Sequence, residues 1–66
     1  MKSVECWIKA INQAESDEKV VELFGLAMSE RDSDPRCRNP QFNIEQQAII
    51  KGVTDRLVEA CVKLYA

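Results

Sequence analysis

Cys37 lies between Arg36 and Arg38, and cations beside a thiol lower its pKa and favour the nucleophilic thiolate. A base to complete the centre is missing. The chain contains no histidine, and Asp32 and Asp34 offset the positive field of the two arginines. An ordinary loop cysteine is the plainer reading, with a redox-sensitive switch as its functional counterpart. Carboxylates come in pairs at Asp17-Glu18 and at Asp32 and Asp34. General acid-base work needs such groups in a desolvating cleft, whereas these sit beside helix ends or in a loop, where they complement the helix dipole in water. Asp32-Ser33-Asp34 lacks the further ligands and the glycine of a calcium loop. Without histidine or a Cys-x-x-Cys pair there is no zinc framework, and no glycine-rich segment could cradle phosphate. These residues predict a protein that is not an enzyme, with no metal, no cofactor and no small-molecule substrate.

The elements that carry these residues must fit in 66 positions. The expectation is one domain over residues 1–66, marginal in stability because so short a chain buries only ~60% of its unfolded surface. Three cysteines, Cys6, Cys37 and Cys61, are an odd number with no close pair, and the start at Met1 to Val4 has no long apolar run of the secretory kind. A reducing, cytoplasmic setting is expected, and oligomerisation is the remaining way to add stability. Nine basic residues stand against eleven acidic, a net charge of −2, which gives no basic footprint for nucleic acid. No apolar run approaches the ~20 residues of a membrane span.

The apolar spacing predicts an all-α fold, a small three-helix bundle with helices at about 3–15, 17–31 and 44–65. Val4, Trp7, Ile8, Ile11 and Ala14 recur at i, i+3, i+4 and i+7, after Ser3 as a candidate N-cap. Ser16 with Asp17 and Glu18 reads as a second helix start. The apolar phase changes there, since Val20, Val21, Leu23, Phe24, Ala27 and Met28 do not continue the first register. Were the change at Ser16 only a kink, the fold would instead be a helical hairpin that dimerises into a four-helix bundle. Both prolines, Pro35 and Pro40, fall in a polar loop expected over 32–42, because each biases its predecessor away from helix. Asn43 then reads as the N-cap of the last helix, with Gln46 three residues on as in a capping box. Ile49, Ile50, Val53, Leu57, Ala60, Cys61 and Leu64 share an arc of about 120° on that helix, the expected core face. Gly25 and Gly52 project to the borders of the apolar arcs, where tolerated boundary glycines are the plain reading and close helix approach the alternative.

Apolar residues are left over. Val58, Val62 and Tyr65 lie well off the core arc and only in the last turns, and Leu26 projects among Lys19, Glu22 and Glu30. Such residues mark a protein-interaction surface if they gather in space, with Leu26 a neighbour of Val62 and Tyr65 in that event. Trp7 and Phe24 fall on the apolar stripes and are read as core. The competing use is DNA contact through a small basic end formed by Arg36, Arg38 and Lys51. Against it, the last helix carries three basic and three acidic residues over 44–66, and a helix-turn-helix wants a short turn.

The order of a first helix, a break at Ala14-x-Ser16, a Val20/Leu23/Phe24 helix, a polar loop and a last helix opening Phe42-Asn43-Ile44-Glu45-Gln46-Gln47-Ala48 resembles the helical C-terminal domain of phage single-strand annealing recombinases. Gly52 within that last helix belongs to the same pattern. It is similar also to the short helical accessory proteins of temperate phages. The likeness spans most of the chain. It implies docking of other proteins without chemistry of its own, and it implies no DNA annealing. The expected function is therefore that of a protein-protein interaction module, a small adaptor or modulator acting as a homodimer or on a larger host or phage protein. The alternative is a small DNA-binding regulator.

Overall fold

The computed structural model describes the backbone of residues 2–35 and 40–66 and, apart from 40–42, their side chains. Three helices follow in the order α1 (Val4–Asn12), α2 (Asp17–Asp32) and α3 (Pro40–Tyr65). Among the described residues there is no strand. All three pairs of helices touch, so the architecture is the three-helix bundle that the apolar spacing predicts.

Two serines start the first two helices. Ser3 is extended, at φ −68° and ψ 161°, and its hydroxyl accepts from the Cys6 N–H at 3.2 Å. Ser16 repeats the device, at φ −129° and ψ 158°, and accepts from the Lys19 N–H at 3.2 Å. Each hydroxyl satisfies one of the N–H groups that a helix start leaves without a partner. The change of phase at Ser16 is therefore a complete break, and α1 and α2 are separate helices, not one long arm of a hairpin. α1 stops at Asn12, earlier than the expected Ala14 or Glu15. The Ala14 N–H turns back to the Ile11 carbonyl at 3.3 Å, a tighter i→i+3 closure of the kind that ends helices, and this frees the chain to reach Ser16.

α3 corrects the expected boundaries. It begins at Pro40, not at Ile44, so the connection is shorter than the loop expected over 32–42. Proline suits a first helical turn because its φ is already helical and its missing N–H would have had no partner there. Asn43, expected as the N-cap, consequently lies inside the helix. Gln46 does not complete a capping box. Its amide donates to Asp32 Oδ1 at 2.8 Å and to the Met28 carbonyl at 3.5 Å, joining α3 to the end of α2.

Cross-links set the directions. Arg56 meets Asp17 at 2.9 Å while Arg31 meets Glu45 at 3.3 Å, so α2 runs antiparallel to α3. Trp7 Nε1 donates to Glu30 Oε1 at 3.1 Å and Asn12 Nδ2 to the Gly52 carbonyl at 3.0 Å, which makes α1 antiparallel to α2. The shared core is Trp7, Ile11, Val20, Ala27, Ile49, Val53 and Ala60, and full burial of each larger apolar side chain contributes about 1.5–3 kcal/mol. Ile50, Cys61 and Leu64, expected on the core face, are only half-buried. The fully buried α3 positions Ile49, Val53 and Ala60 span only about 40° of the projection, a narrower line than the expected arc.

The two glycines part company. A Cβ built on Gly25 would meet nothing within 4 Å, whereas one on Gly52 would lie 2.6 Å from Ile8 Cδ1 and 2.8 Å from Ile8 Cγ1. Gly52 is thus where α1 packs directly onto the backbone of α3. The tolerated-boundary reading holds for Gly25 and fails for Gly52.

Candidate interaction surface

Arg31 is the feature that reading the chain missed. It is the largest fully buried side chain, 1% exposed, where the start of α1, the end of α2 and the start of α3 meet. A buried guanidinium must be paired and hydrogen-bonded. Its Nη2 donates to the Lys2 carbonyl at 3.1 Å and to Glu45 Oε1 at 3.3 Å, and its Nη1 to Glu30 Oε1 at 3.3 Å. Among the described residues, Arg31 Nε is buried and meets no hydrogen-bond partner. Glu30 Oε1 also accepts from the Lys2 backbone N–H at 3.1 Å, and the Lys2 ammonium lies 4.7 Å above the centre of the Trp7 ring. All these partners belong to the protein itself, so the knot reads as a clamp on three chain segments. A signal was available. Arg31 follows Ala27 by four and Val20 by eleven, continuing the buried stripe of α2.

The opposite side of α3 carries a different set. Ile44 is 68% exposed, Val58 55%, Val62 58% and Tyr65 75%. On a projection of 100° per residue, Ile44, Lys51, Val58 and Tyr65 recur every seventh position, with Ala48, Asp55 and Val62 four residues after the first three. Together they fill an arc of about 100° directly across the helix from Ile49, Val53 and Ala60. This is a second stripe, apolar at both ends and charged at its centre. Beside Ile44 an open depression of 320 Å³ is lined by Asn43, Ile44, Gln47, Ala48 and Lys51, so the apolar end has relief as well as exposure.

Of the residues expected at an interface, Val58, Val62 and Tyr65 fall on this stripe and Leu26 does not. Leu26 is exposed, at 51%, yet the antiparallel pairing that sets Asp17 beside Arg56 and Met28 beside Gln46 puts it level with Ala48. That is some 20 Å along α3 from Val62 at 1.5 Å per residue. The condition for Leu26 to join Val62 and Tyr65 in one patch is therefore not met. Ile44, expected only to open the helix, takes the place at the far end. Its spacing of fourteen from Val58 was the signal.

Charges around the C-terminal end are largely paired. Lys63 Nζ meets Glu59 Oε1 at 2.9 Å, and this hydrogen bond, more than the accompanying charge attraction, lowers the Glu59 pKa and raises that of Lys63. Arg56 joins Asp17 at 2.9 Å and Glu59 at 3.9 Å. Lys51 and Asp55, both exposed, take part in no ion pair among the described residues. Arg36 and Arg38, proposed with Lys51 as a basic end, and Cys37 lie outside the described residues. Among the described residues no three His, Cys, Asp or Glu side chains come together in a way that could hold a metal ion, and no helix is long and apolar enough to cross a membrane. Compared with protein-family models, with curated proteins and with solved structures, the chain matches none.

Proposed function

We propose that the protein is an interaction module without chemistry of its own, an adaptor or modulator that binds protein through the outer face of α3. The observation that supports this reading is the stripe itself. A chain that closes its core with Ile49, Val53 and Ala60 keeps four large apolar side chains in water on the opposite face of the same helix. Exposed apolar area gathered on one face and rimmed by polar residues marks contact surfaces. The resemblance to phage accessory proteins and to the recombinase docking domain points toward the same kind of role. Unpaired Cys6 and Cys61 suit a reducing, cytoplasmic setting.

The test is a pair of substitutions at exposed positions. Val58→Ser with Val62→Ser is expected to leave the urea midpoint close to that of the parent, since surface changes cost little, and to abolish cross-linking to protein partners in cells of the native host. A variant that folds normally and retains every cross-linked product of the parent would overturn the reading.

A further inference from the structure

The stripe is self-complementary. Resting on the reading above, we infer that its occupant is a second copy of this chain, packed antiparallel through the outer faces of the two α3 helices with Lys51 of each copy against Asp55 of the other. Charge selects the orientation. Lys51 and Asp55 lie one turn apart near the middle of the stripe, exposed and outside every ion pair among the described residues. In a parallel pair, equivalent positions meet, so Lys51 would face Lys51 and Asp55 would face Asp55. Both contacts repel. Reversing one helix in the register that brings Lys51 to the partner's Asp55 brings the reciprocal pair together as well, because a two-fold interface is isologous.

The same register settles the apolar residues. It sets Ile44 against the partner's Val62 and Ala48 against the partner's Val58, twice each, with Tyr65 reaching toward the first turn of the partner's α3. No apolar end then faces a charged centre. The matched stretch from Ile44 to Val62 is about 27 Å long at 1.5 Å per residue, and a helix-on-helix face of that length buries on the order of 1,000 Å² in total, at the low end of specific interfaces. A reversible dimer follows. The seven-residue recurrence of Ile44, Lys51, Val58 and Tyr65 is also the spacing that lets two helices pack along a common seam.

Sedimentation equilibrium of the purified full chain from about 10 μM to about 1 mM reads the proposal directly, a range set by the modest interface. The parent is expected to pass from monomer to dimer within it. Lys51→Glu and Asp55→Lys should each weaken dimerisation by about tenfold or more, because each replaces two attractions by two repulsions. The double variant Lys51→Glu/Asp55→Lys should return to within about threefold of the parent. Ile44→Ser should weaken it as Val62→Ser does. Circular dichroism of each variant confirms that the exposed changes leave the fold intact. A parent that stays monomeric throughout overturns self-association, while partner cross-linking sensitive to Val58 and Val62 would still uphold the broader reading. A dimer indifferent to both charge reversals overturns the antiparallel register.

Discussion

Arg31 holds the closed end of the bundle by three donated bonds. Truncating it would leave Glu30 and Glu45 facing one another across a void, although both carboxylates are about 30% and 29% exposed and could recover some hydration. Breaking a fully buried pair costs about 3–5 kcal/mol. Partial exposure of the acids places Arg31→Ala at the low end, about 3 kcal/mol. Urea denaturation monitored by circular dichroism checks this. Arg31→Lys should recover only part of the loss, since one ammonium cannot reproduce the planar fork that serves the Lys2 carbonyl and two carboxylates at once. A parent-like midpoint in Arg31→Ala would show that the knot is incidental to stability.

Gly25 inside α2 and Gly52 inside α3 separate helix propensity from packing. Neither glycine has a positive φ, so alanine fits the backbone at both positions and gains about 0.5–1 kcal/mol from reduced freedom of the unfolded chain and better helix propensity. At Gly25, with open space around it, Gly25→Ala should raise stability by that amount. At Gly52 the new methyl would press on Ile8 Cγ1 as well as on its tip. A shift of α1 is required, and overpacking of this kind costs about 1–3 kcal/mol. Gly52→Ala should therefore be destabilising, and the penalty should shrink in an Ile8→Ala background where the obstructing atoms are gone. Thermal melts of the four chains would show this coupling. A stabilising Gly52→Ala would mean that α1 is free to move away.

At the scale of the molecule, α1, α2 and α3 all contribute to one core, and the single tryptophan, Trp7, is buried in it at 4% exposure. Trp7 fluorescence and helix ellipticity should therefore follow one unfolding transition with a common midpoint. Separate transitions would mean that α1 detaches before the other two helices. What the sequence alone determined is what depends on neighbours a few positions away. The N-caps at Ser3 and Ser16, the helical stretches and the spare Val58, Val62 and Tyr65 were all legible, because capping and helical periodicity act over three or four residues, whereas the phase change at Ser16 left a kink open as the alternative to a full break. Pro40 serves as a helix starter and not the breaker its place in a polar stretch suggests, since a proline can do either and the residues around it do not decide. Only the tertiary structure buried Arg31, drew Gly52 against Ile8 and moved Leu26 away from Val62. Each of these depends on which turns of different helices lie at the same level, and that is set by how all three close on a common core.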